Sequence, residues 1–123
     1  MNAFKSTALA VFIALTATLS AWAHAKMTES VPKDGATVPA GLSSVELKFS
    51  KPMRLTLVRI HSAKADADVA VKGELPMTFV EEATISVEPI AAGAYDVHWT
   101  AVSQDGHVMK GDFEFTVEES PTP

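Results

Sequence analysis

The feature that most constrains this chain is a pair of strictly alternating apolar runs. The first is Tyr95, Val97, Trp99 and Ala101; the second is Gly111, Phe113, Phe115 and Val117. Side chains two residues apart share one face of a strand, so each run predicts a half-buried β-strand. Between them lies Ser103-Gln104-Asp105-Gly106-His107, too polar and too Gly-marked to continue either strand. It predicts a loop or hairpin turn that carries a carboxylate and an imidazole two residues apart, with only Gly106 between them. That is a compact metal-ligand pair, although an Asp-Gly-His turn is also an ordinary solvated hairpin tip.

The rest of the chain repeats the strand signal. Residues 24–30 predict a short extended opening. Val31-Pro32-Lys33-Asp34-Gly35 and Pro39-Ala40-Gly41 predict breaks. Residues 44–49 alternate cleanly, with Val45, Leu47 and Phe49 inward, and Ser50-Lys51-Pro52 is expected to end that strand. Residues 55–61, 69–72 and 84–87 predict further strands, with a polar link over 63–68 and a turn at Gly73-Glu74-Leu75-Pro76. No segment after the first 23 residues holds a helical period. Short strands with regularly spaced turn signals predict an all-β sandwich or barrel. Residues 90–95 resemble the approach to a tyrosine corner, with Tyr95 its tyrosine and Trp99 a core anchor. Residues 118–123, acidic and Pro-bearing, predict a flexible tail.

The first 23 residues have a different logic. Lys5 precedes an apolar run over residues 8–19, and Ala21-Trp22-Ala23 follows. A charged start, a short apolar stretch and a small-x-small site describe a secretory signal peptide (1–23); the run is too short for a membrane span, which needs about 20 apolar residues. Cleavage after Ala23 makes His24 the first residue and leaves about 100, a length that suits one domain. The whole chain carries a formal charge of −5, and loss of Lys5 makes the remainder more acidic. An acidic chain without a basic run lacks the means to neutralise nucleic-acid phosphates. With no cysteine, any metal must be held by His, Asp, Glu, Met or the terminal amine.

A terminal histidine changes the chemistry. Its amine and its Nδ1 close a six-membered chelate ring, and the amine, with a pKa of about 7.7–8.0, gives up its proton to a metal near neutral pH. With Asp105 and His107 the donors are three nitrogens and one oxygen. In a tetragonal arrangement that set suits Cu(II); in a tetrahedron it would also accept Zn(II).

These residues carry a family resemblance. His24-Ala25 after the leader, Ser30-Val31-Pro32 with Gly35, residues 45–50, residues 93–99, and above all residues 102–111 leading into Phe113-Glu114-Phe115 resemble the CopC family of periplasmic copper-binding proteins. The resemblance spans residues 24–117. It implies an immunoglobulin-like Greek-key β-sandwich or barrel. It also implies one Cu(II) held by His24 through both its nitrogens, with Asp105 and His107. The implied role is non-enzymatic copper handling for resistance or homeostasis in the periplasm, often beside a CopD-type inner-membrane partner.

Two positions depart from the family pattern. Some members carry a Met-rich loop for Cu(I); here the corresponding region has only Met53 and Met77, to which packing is assigned. Many members carry a carboxylate just after the Phe-Ser pair, where this chain has Lys51; Glu29 is a candidate substitute. His61 and His98 read as exposed strand histidines, Met109 as rim packing, and Ser103 as no nucleophile, for want of an oxyanion motif. Two other functions use the same features: a small copper monooxygenase built on a terminal histidine, and a metal-free sandwich that binds another protein.

Overall fold

The computed structural model describes residues 25–121; the expected leader, His24 and the last two residues lie outside them. There are eight strands and no helix among the described residues: β1 (Met27–Val31), β2 (Ala36–Val38), β3 (Ser44–Ser62), β4 (Ala67–Asp68), β5 (Val71–Lys72), β6 (Val80–Val87), β7 (Gly93–Ser103) and β8 (Val108–Val117). The first half of β3 lies between β1 and β6, with β5 beyond β6. Its second half pairs with β7, which pairs with β8, and β2 closes that side. The strands thus form the two layers of a sandwich over one core, the all-β class that the alternation predicts, in the immunoglobulin-like form that the family resemblance implies.

The 19-residue β3 corrects one expectation. Ser50-Lys51-Pro52 does not end the strand but bends it from one layer into the other. Pairing with β6 lapses between Lys48 and Met53, and pairing with β7 begins at Met53. Pro52 has no N–H to offer a ladder, and it sits where the ladder is interrupted. A second irregularity falls between Leu55 and Leu57. An extra residue of this kind shifts the inward phase by one. Leu55 is therefore buried, Leu57 faces out at 45 % exposure, and Val58 and Ile60 face in.

Smaller differences have similar local causes. β6 starts at Val80, four residues before the expected 84, because the exposed Glu81 and Glu82 hide the alternation. Of the expected strand over 69–72 only β5 forms, and the short β4 falls within the expected polar link over 63–68. β2, which no run announces, is three residues long and runs parallel to β8.

The central pair β7–β8 is in unbroken register from Gly93 opposite Val117 to Val102 opposite Val108. Tyr95, Val97, Trp99, Phe113 and Phe115 lie buried in one core, as their period-two spacing predicts. The Tyr95 hydroxyl donates to the Ala91 carbonyl at 2.6 Å, so the corner forms. The Tyr95 ring stacks on Phe115 at 5.5 Å, and Phe49 meets Trp99 edge to face at 5.4 Å. The Trp99 indole packs against Gly111. A Cβ there would fall 2.6 Å from Trp99 Cζ2. Glycine is present at 111 to let the indole approach the backbone of β8.

Gly111→Ala should therefore force the buried indole off its seat. Overpacking of this kind costs about 1–3 kcal/mol, so the urea midpoint should fall clearly, with a red shift of Trp99 emission. An unchanged midpoint would show that the ring relocates without cost.

Candidate metal centre

β7 delivers Ser103 at its end, and β8 begins after a four-residue connection. The turn between them is closed by its own backbone. Ser103 N–H donates to the His107 carbonyl at 2.9 Å, and Gly106 N–H donates to the Ser103 carbonyl at 2.9 Å. Gly106 has φ +87°, a left-handed conformation that glycine adopts without steric cost. The side chains of Asp105 and His107 then meet, with Asp105 Oδ2 3.0 Å from His107 Nδ1. Asp105 Oδ1 accepts from the Ser103 hydroxyl and from His107 N–H. Both side chains of the pair face solvent, Asp105 at 56 % and His107 at 61 %.

The Ser103 hydroxyl is the main reason the Asp105 carboxyl lies below the usual carboxylate range. His107, through its N–H and its ring, adds to that, against a partial loss of hydration. The carboxylate is therefore ionised near neutral pH. Two donors on metal bonds of about 2.0–2.1 Å at right angles stand about 2.9 Å apart. The observed 3.0 Å, spanned by a hydrogen bond, matches the length of such a coordination edge. The nitrogen and oxygen donors fit a borderline divalent ion such as copper.

The start of the described chain lies beside this loop. Ala25 is 5 % exposed. It lines a recess of about 170 Å³ together with Lys51, Pro52, Ser103, Gln104 and Asp105. Lys26 N–H donates to Ser50 Oγ at 3.0 Å, and Ser50 N–H donates back to the Lys26 carbonyl at 2.8 Å. The bend of β3 thus tethers residues 25 and 26 next to Asp105. His24 itself, the third expected ligand, falls outside the described residues. Among the described residues no group of three or more His, Asp or Glu side chains converges on one point.

The remaining candidates separate cleanly. His61 lies between Asp66 at 3.2 Å and Asp68 at 3.1 Å, and Asp68 also takes Arg59 at 3.1 Å. His61 is opposite Asp96 on β7, seven residues from Ser103, or about 23 Å at strand rise. His98 is half exposed and 3.3 Å from Asp112. Neither reaches the loop. Glu29 pairs with Lys48 at 3.7 Å and is not in the recess, so it does not replace the missing carboxylate; Lys51 does line the recess. Met53 is fully buried, as packing requires, but Met77 is 83 % exposed, which corrects the packing role assigned to it. Met109 lies half-buried against the core rim.

Ser103 is the residue that sequence reasoning undervalued, having weighed it only as a nucleophile. The signal was available. Residue 103 continues the inward phase of 95, 97, 99 and 101, and a polar side chain at an inward position needs a partner. It is 8 % exposed.

The profile of the CopC domain matches residues 27–118. This chain belongs to the CopC family. Copper resistance protein C of Xanthomonas campestris pv. juglandis is 30 % identical over 128 residues, covering 96 % of this chain and all of that one. Copper resistance protein C of Escherichia coli is 33 % identical over 111 residues, covering 80 % and 85 %. Among solved structures, PcoC from Escherichia coli, described as a methionine-rich copper resistance protein, superposes with a TM-score of 0.61. It is 32 % identical over 77 % of this chain and 99 % of that one. CopC from Methylosinus trichosporium OB3b shares the fold with a TM-score of 0.65, at 24 % identity over 81 % and 99 %. The CopC profile runs through the whole turn that holds Asp105 and His107.

The depressed Asp105 carboxyl gives a signed pH dependence. Its contribution to stability is present above the unfolded value of about 3.9 and is lost as pH falls through the lower folded value. In metal-free protein, urea midpoints measured below about pH 4 should therefore fall more steeply for wild type than for Asp105→Asn. Parallel curves would show that the carboxylate makes no net contribution.

Proposed function

We propose that the mature protein is a non-enzymatic Cu(II) carrier or buffer of the periplasm, holding one ion per chain. His24 contributes its amine and Nδ1, and Asp105 and His107 supply the other two donors. The observation that carries this reading is the preformed Asp105–His107 pair, 3.0 Å apart at the recess that Ala25 also lines. Ala25 directly follows His24, so a terminal histidine has a short path to that pair. Membership of the CopC family and relatives named for copper resistance support the metal. The expected leader supports export, and a CopD-type inner-membrane protein is the partner that family membership suggests.

In this reading a Cu(I) site has little to draw on. The Met53 thioether is out of solvent reach, and Met77 stands exposed on a loop. Three hard or borderline nitrogens and a carboxylate favour the divalent ion. The chemistry the protein supplies is binding and orientation, since the pair is fixed before any metal arrives.

The decisive comparison is between protein starting at His24 and protein with one residue added before it. A peptide-bonded His24 loses its basic amine and the chelate ring with it. Extension should weaken Cu(II) binding by orders of magnitude and change the spin-resonance spectrum. Equal affinity of the two forms would remove the amine from the site. Cu(I) competition should show no tight site in either form; tight binding that survives His107→Ala but not Met53→Ala would overturn the Cu(II)-only assignment.

A further inference from the structure

We propose that Ser103 is a positioning residue of the metal centre, locking Asp105 so that Oδ2 alone is presented beside His107. The proposal rests on the reading of this loop as a copper site and adds to it a residue that touches no metal.

A hydroxyl has one hydrogen to donate and lone pairs with which to accept. Ser103 Oγ is within reach of three groups: Asp105 Oδ1, the His107 carbonyl at 3.2 Å and His107 N–H at 3.2 Å. An ionised carboxylate is a stronger acceptor than a carbonyl, so the single hydrogen goes to Asp105, and the oxygen accepts from His107 N–H. One buried side chain thereby ties the carboxylate of one ligand to the backbone of the other. Asp105 Oδ1 is engaged twice, by the hydroxyl and by His107 N–H, while Oδ2 faces the imidazole.

The surroundings give this bond its leverage. Ser103 is 8 % exposed, whereas Asp105 and His107 are both more than half exposed. An exposed carboxylate on a turn otherwise samples several rotamers, and each must be abandoned on binding. The serine is anchored in turn by the ladder, opposite Met53 of β3. Fixing a ligand through a rigid neighbour favours a single binding geometry, and outer partners of metal ligands are worth about 10–100-fold in affinity.

The same geometry separates positioning from scaffolding. Without the hydroxyl, Asp105 and the His107 N–H turn to water, which is at hand because both residues are exposed. Folding stability should fall by no more than the Asp105 carboxylate contributes, while the order of the pair is lost.

The test uses processed protein starting at His24, with Ser103→Ala and Ser103→Thr. Thr retains the hydroxyl. Cu(II) affinity should fall about tenfold or more in Ser103→Ala and return in Ser103→Thr. The spin-resonance parameters should follow the same order, and the metal-free thermal midpoint of Ser103→Ala should fall no further than that of Asp105→Ala. In metal-free protein, amide exchange at Gly106 and His107 should quicken in Ser103→Ala and not in Ser103→Thr. Unchanged affinity and spectrum in Ser103→Ala would overturn the proposal. If wild type itself binds no Cu(II), the copper reading fails, and the exchange data judge Ser103 alone: unchanged protection overturns the positioning role as well.

Discussion

One strand holds the two layers together. β3 begins between β1 and β6 and ends against β7, and the change of partners occurs at Lys51-Pro52. Met53, fully buried, is the residue where both sets of pairings meet, opposite Val80 on one side and Ser103 on the other. The bend tethers the start of the chain through Ser50, forms one wall of the recess through Lys51 and Pro52, and seats the end of β7 through Met53. The features of the candidate metal centre that come from different parts of the sequence are therefore collected by one interruption in one ladder. The loop itself needs only its own hydrogen bonds and one glycine at positive φ.

How much of this was legible in the sequence depends on whether the information was local. The inward residues of β7 and β8 were readable because each alternates without interruption, and burial on one face of a sheet leaves that mark. The tyrosine corner was readable from its spacing. The continuity of β3 was not. Pro52 and its polar neighbours signal a stop in any single-strand reading, and only the change of partners shows that a strand can pass through them. Nor was β2, whose three residues are defined by parallel pairing with a strand far along the chain. Leu57 defeats a period-two count because a bulge is a property of the pairing rather than of one run.

The site divides in the same way. Asp105 and His107 stand two residues apart, so their meeting is local, and their spacing foretold it. The role of Ser103 lies one step further out, in a hydrogen bond that makes sense only once residue 103 is known to be inward and buried. Lys51 and Glu29 were compared as charges along the chain, and the fold sorts them by position: Lys51 lines the recess and Glu29 is turned toward Lys48. Met77 received a packing role on composition alone, and its loop leaves it in solvent.

The burial of Ala25 has a consequence for where ordering takes place. A residue one position from an expected chain terminus would ordinarily fray, and a metal that recruited such an end would have to immobilise it at the moment of binding. Here Ala25 belongs to the hydrophobic core, and Lys26 exchanges hydrogen bonds with Ser50. The arm loses its freedom when the sandwich folds. On the proposed reading, a metal would meet an arm already ordered as far as Ala25, so the stability of the hydrophobic core is felt at the rim as a shorter search.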